Sequence, residues 1–194
     1  MELKDKIIEV ATALFRKGGV RAVTMDDIAR EAGISKKTIY QEFKDKSQLV
    51  YEAFSAFLEK HECQLHKISQ EKDDVIEHFI KLSHFMRDQY ADMNPLILAE
   101  IRRYYPKAWK RFEEFQKGHA LKSIIEIMEK GKRLGYFRKE INVEILALLR
   151  LEQISLDLRA LSSGLHVSMG ELQKQMFDHF IQGIMTDKGR KAYY

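Results

Sequence analysis

A chain of 194 residues, 45% hydrophobic and 32% charged, can bury one sizeable core, or a small head domain with a larger body. A formal net charge of +4 permits an anionic partner without demanding one, and residues 1–50 hold 10 Lys/Arg against 8 Asp/Glu. The single cysteine, Cys63, excludes an intrachain disulfide, and no apolar run approaches the roughly 18 residues of a membrane span. The N-terminus is charged and amphipathic, without the apolar core of a signal peptide. The expectation is a cytoplasmic protein with no membrane partner.

With only two prolines, Pro95 and Pro106, long helical stretches run uninterrupted and the pattern predicts an all-α fold. Leu3, Ile7, Val10, Ala11 and Leu14 recur at three- and four-residue steps, a first helix ending at Gly18-Gly19. Phe15 and Val23 are expected to join its small core. Thr24 can cap a helix from Met25, with Asp26 and Asp27 in the first turn, and Ala32-Gly33 ends it. Ser35 can cap another, Lys36 to about Phe43, burying Ile39 and Phe43. A longer helix is predicted from Asp45 or Ser47 to about Ile68.

Past a polar stretch at residues 70–74, Val75 to about Tyr90 repeats as an amphipathic helix. Asn94-Pro95 is expected to start a short helix, Leu96 to Tyr104, and Pro106 a long one through Lys130, broken by Gly131 and Gly135. Residues 143–161, including Ile154, Leu156, Leu158 and Leu161, are apolar on nearly every side. Such a helix is buried all round, one face on its own core and another on a second subunit. Ser168 can cap a last helix, and Lys188 to Tyr194 reads as a frayed tail.

The two short helices at residues 24–43 form the layout of a helix-turn-helix, whose second helix reads the major groove. Lys36 and Lys37 can neutralise phosphates or reach guanine edges, and Thr38 and Tyr40 can donate to phosphate oxygens. Thr24 and Ser35 can do likewise. Lys46, at the start of the next helix, combines an ammonium with free N–H groups, a good phosphate anchor. As an ordinary surface, Lys36 and Lys37 would be a solvated face.

Thr24, Ile28, Ala29, Ala32, Gly33, Ile34, Ser35, Thr38, Ile39, Tyr40, Phe43, Lys46 and Leu49 carry a fixed-spacing pattern that resembles the DNA-binding domain of the TetR family of bacterial repressors. The resemblance covers roughly residues 5–50. It implies a three-helix DNA-binding head, residues 1–46, and a ligand-binding and dimerisation body of about six helices, residues 47–194. Two features depart from the family. Lys37 stands where glycine is common, and Glu42 stands where His or Tyr is common and would be repelled by phosphate.

The resemblance further implies a homodimer paired through residues 143–162 and 169–185, and an effector pocket between residues 47 and 162. Pocket candidates are Phe57, His61, Phe85, Trp109, Phe112, Phe115, Glu152 and Gln153; for each aromatic alone, core packing is the plainer reading. Glu152 and Gln153, in the most apolar helix, can orient a ligand or pair across a dimer interface. Arg102-Arg103-Tyr104-Tyr105 reads as a solvated turn.

No cofactor or metal is expected. His61-x-Cys63-x-x-His66 is tempting, but residues two apart on a helix point about 200° apart. No Walker loop, GxSxG or HExxH is present, so the chain reads as a non-enzyme. The expected function is a homodimeric transcriptional regulator, a repressor on a palindromic double-stranded operator released by a small-molecule effector. The alternative is a helical ligand-binding or protein-interaction module whose head no longer binds DNA.

Overall fold

The computed structural model describes residues 2–70, 74–90, 93–94, 96–162 and 167–194. Among them the chain is all-α: α1 (Leu3–Gly18), α2 (Met25–Ala32), α3 (Lys36–Glu42), α4 (Lys46–Gln70), α5 (Val75–Tyr90), α6 (Ile97–Tyr104), α7 (Pro106–Phe115), α8 (Leu121–Arg133), α9 (Val143–Ser162), α10 (Met169–Ile184) and α11 (Asp187–Tyr193). A π-helical turn, Gln116–Ala120, joins α7 to α8. The expected roles of residues 71–73 and Pro95, and of the Ile154, Leu156, Leu158 and Leu161 side chains, lie outside the described residues.

The helices divide into two compact units. One holds residues 1–61 and 92–114, the other residues 62–91 and 115–194. The first unit reaches past residue 46, and the reason is burial. In the first unit Ile7, Ala11 and Phe15 of α1 are buried at four-residue steps, with Ile28, Ala29 and Ala32 of α2, and Ile39 and Phe43 at the end of α3. Three short helices bury too little by themselves. Leu49, Val50, Ala53 and Phe54 of α4 and Ile97, Leu98 and Ile101 of α6 are buried in the same unit. Burying each Ile, Leu, Val or Phe among them is worth about 1.5–3 kcal/mol.

In the second unit α8 packs on α9, α5 on α10 and α8, and α9 on α10. Phe79 of α5 meets Phe137 edge-on, with centroids 5.3 Å apart, and lies 6.4 Å from Phe177 of α10. Two expectations are corrected here. Gly131 does not break a helix, because α8 runs through it to Arg133. A Cβ at Gly131 would stand 2.2 Å from Cδ2 of Phe137, so glycine is there to admit that ring. The exit falls at Gly135, with φ +76°.

The tail is not frayed either. Thr186 caps α11 by accepting from the Gly189 N–H, and its own hydroxyl donates to the Gly135 carbonyl at 2.8 Å. The Thr186 N–H donates to the Tyr136 carbonyl at 2.9 Å. Tyr193 donates to Asp178 at 3.2 Å, and burial together with that carboxylate pushes its phenol up to about 12.

The helix expected to be buried all round has one open face. Val143, Ala147 and Leu151 of α9 are buried, whereas Ile145, Leu148 and Leu149 are 64%, 53% and 49% exposed. No helix among the described residues is long and apolar enough to cross a membrane.

Candidate nucleic-acid interface

The start of α2 is fixed by a reciprocal cap. The Asp27 N–H donates to the Thr24 hydroxyl oxygen at 3.1 Å, while Asp27 Oδ2 accepts from the Thr24 N–H at 3.0 Å and from its hydroxyl at 2.6 Å. The Thr24 hydroxyl and N–H bonds, then the Arg30 guanidinium 2.6 Å from Oδ1, hold the Asp27 carboxyl below its ordinary range. Thr24 is exposed, but its hydroxyl proton is already engaged.

Helix α2 ends at Gly33, whose φ of +69° and ψ of 34° lie in the left-handed region, so the chain turns where a side chain would be strained. Ser35 then caps α3 by accepting from the Thr38 N–H at 3.1 Å, and the two hydroxyls sit 2.8 Å apart. Ile39 and Phe43 turn into the core, which leaves Lys36, Lys37 and Tyr40 exposed and Thr38 half-buried. This is a helix-turn-helix with its second helix offered to solvent.

The electrostatics differ along that helix. Lys37 is exposed, and no ion pair engages it among the described residues. Lys36 donates to Asp26 of α2 at 2.9 Å, a bond that raises its pKa and that the sequence pattern does not reveal. Glu42 is half-buried and lies near enough to the Lys4 ammonium to help raise that lysine's pKa, after the hydrogen bond that Lys4 donates to Glu52. Lys4 and Glu52 pair at 2.6 Å, and the Lys4 ammonium stands 5.6 Å from the Phe43 ring centroid. The carboxylate at position 42 is therefore partly offset by a lysine of α1.

Lys46 is turned inward. Its ammonium donates to the Arg21 carbonyl at 3.3 Å, and burial lowers its pKa against the opposing charges of Glu100 and Asp27. Asp45 caps α4, accepting from the Gln48 N–H at 2.8 Å.

The effector candidates fall in both units. In the first, His61, Phe57, Phe54, Phe112 and Trp109 form a run of rings with successive centroids 4.2, 6.1, 6.0 and 5.2 Å apart. Of the candidates, only Phe57 lines an apolar cavity found in this unit, beside Thr12, Phe15, Val50, Phe54, Met93 and Ile97. Its volume, about 20 Å³, is room for roughly one water and far below an effector.

In the second unit Phe115 is buried, Phe85 is half-buried, and Gln153 is buried and accepts from Arg150 at 3.2 Å. Glu152 is exposed, so in this chain it is not the buried charge of an apolar helix. On α4, His61 is buried while Cys63 and His66 are exposed. No group of three potential ligands gathers among the described residues.

The fold and this helix-turn-helix define a class, an all-α DNA-reading regulator. Residues 7–53 match the family model described as bacterial regulatory proteins, tetR family. Along 97% of its length the chain is 22% identical to the HTH-type transcriptional repressor KstR2 of Mycolicibacterium smegmatis, covering 93% of that protein. A transcriptional regulator of the TetR family from Agrobacterium tumefaciens superposes with a TM-score of 0.79 at 17% identity, over 95% of this chain and 98% of that one. The regulator FadR from Bacillus subtilis, in complex with stearoyl-CoA, gives 0.71 at 18% identity, over 93% and 98%. Residues 7–53 are thus similar to the DNA-binding segment of TetR-family regulators, and the relatives matched along most of the chain are transcriptional regulators.

Proposed function

We propose that the chain is a homodimeric repressor that occupies a roughly palindromic operator and is released by a small-molecule effector. The observation that carries this reading is the doubly capped α2–α3 pair, whose second helix leaves Lys37 exposed beside exposed Tyr40, with no ion pair to Lys37 among the described residues. Lys36, Lys37, Thr38 and Tyr40 contact the groove and its phosphates. Ser35, Thr24 and Lys46 contact the flanking backbone, Lys46 by exchanging the Arg21 carbonyl for a phosphate. Similarity to a repressor along most of the chain favours repression over activation.

Residues 1–46 act as the DNA-binding part and residues 47–194 as the ligand-binding and dimerisation part. The dimer forms through residues 143–162 and 169–185. Its support is the apolar face of Ile145, Leu148 and Leu149, with Glu152 free to pair across the twofold axis. The stearoyl-CoA held by the FadR structure supports a small-molecule effector in the body. The effector acts by binding one arrangement of the heads better than the other. The protein works in the cytoplasm.

The test is selection of duplexes from a random-sequence pool, followed by affinity measurement over a salt series. The expected result is one enriched near-palindromic site, with log affinity falling by about 0.9 per neutralised phosphate for each decade of salt. A pool with no enriched site favours an interaction module instead, a reading supported by the Lys36–Asp26 pair and by Glu42.

A further inference from the structure

The last turn of a helix leaves carbonyls without helical partners, and the loop after it leaves N–H groups that must find acceptors. At the end of α1 both needs are met by Glu100 of α6 and by Asn94, which precedes that helix. Oε2 of Glu100 accepts from the Val20 N–H at 2.6 Å and from the Arg21 N–H at 3.0 Å. The Asn94 N–H donates to the Arg16 carbonyl at 2.7 Å, and its Nδ2 donates to the Lys17 carbonyl at 3.4 Å. Asn94 Oδ1 accepts from the Leu96 N–H at 2.9 Å, which ties the same side chain to the start of α6.

Gly19, with φ +80°, lets the chain turn between these contacts, and a Cβ there would stand 3.1 Å from Glu100 Oε2. The loop so held touches two residues of the proposed DNA interface, Lys46 and Thr24, and one ring of α6. Its Arg21 carbonyl receives the Lys46 ammonium, its Arg21 guanidinium lies 4.9 Å from the Tyr104 ring centroid, and Thr24 caps α2 three residues on.

We infer that Glu100 is a positioning residue for DNA binding: its carboxylate grips the main chain at Val20 and Arg21 and so sets where α2 begins and where Lys46 is anchored. This rests on the DNA-binding reading above. Glu100 touches no DNA in this role. It acts through the backbone of residues 20–21, from a helix outside the segment that matches the family model.

Reach and charge separate in three variants. E100Q keeps an oxygen at the same distance without the charge, E100D keeps the charge and withdraws the oxygen by one methylene, and E100A removes both. The parent and variants are compared for affinity to the selected operator and for amide exchange at residues 20 and 21 in the DNA-free protein. E100D and E100A are expected to bind about tenfold more weakly, the equivalent of one charge-assisted hydrogen bond, with faster exchange at both amides. E100Q is expected to stay within about threefold of the parent, with near-parental exchange.

Should E100A fail to fold, the E100Q and E100D pair still decides. The inference is overturned if E100D matches the parent while E100Q loses affinity, since charge beside Lys46 would then matter and reach would not. Unchanged affinity in both, or unchanged exchange in E100D, overturns it too. A parent that enriches no DNA sequence overturns the regulator reading and the positioning role together, and exchange then records a structural clamp alone.

Discussion

The α2–α3 segment and helix α9 solve opposite problems. In α2–α3 nearly every residue that sets the geometry acts on a neighbour a few positions away. Thr24 and Asp27 cap each other, Gly33 turns the chain, and Ser35 caps the second helix of the pair. In α9 the apolar residues outnumber what one chain can cover, and Ile145, Leu148 and Leu149 stay exposed. The first region specifies a shape by local bonding. The second leaves apolar area uncovered, and that area is the support for the proposed dimer.

The comparison breaks most sharply at α9. Leu148→Glu with Leu149→Glu is expected to abolish the dimer and operator binding while helical content stays near that of the parent. Sedimentation mass and circular dichroism check both halves, and a variant that remains dimeric would remove α9 from the interface. On the recognition helix, Lys37→Ala and Tyr40→Ala should each leave the dimer intact. A lost base-edge contact costs about 1–3 kcal/mol of operator affinity, whereas a lost phosphate contact lowers the salt slope by roughly 1. Titration over a salt series tells which.

Smaller effects sharpen the local side of the comparison. Thr24→Val deletes the α2 cap and should cost about 1 kcal/mol, read as a drop of roughly 2–4 °C in the midpoint of thermal unfolding. Asp26→Ala releases Lys36 from its ion pair. Its expected outcome is a modest gain in DNA affinity with a steeper salt dependence, since exposed pairs contribute little stability of their own. A weakened complex would instead mean that Asp26 holds Lys36 in its reading position.

The same contrast explains what could be read from the sequence. The caps at Thr24 and Ser35, the turn at Gly33 and the buried pair Ile39 and Phe43 follow from local chemistry, and each is where the spacing puts it. Lys36 and Lys46 were legible as cations but not as donors to Asp26 and to the Arg21 carbonyl, because those partners come from other elements. Glu100 is further still, 80 residues from Val20. Its one signal was a carboxylate flanking the apolar run of Ile97, Leu98 and Ile101.

Gly131 misled because glycine punctuates helices on average. Here a ring from Phe137 occupies the space a side chain would need. Helix α11 was missed because its cap at Thr186 and its anchors, the Gly135 and Tyr136 carbonyls, are about 50 residues apart. The candidate effector residues had no local signature beyond rings and polar groups on apolar faces. His61 and Trp109 stand at the two ends of a ring-to-ring run that joins α4 to α7 within one unit, a pattern equally suited to plain packing.

The grip on the α1–α2 loop also bears on how freely this loop can change over generations. Glu100 and Asn94 hold peptide groups, which every residue shares, and not the side chains that distinguish one residue from another. At exposed Arg21 almost any substitution keeps the required N–H, with proline the exception because it has none to give. A loop anchored in this way can trade its outward chemistry while its course stays the same.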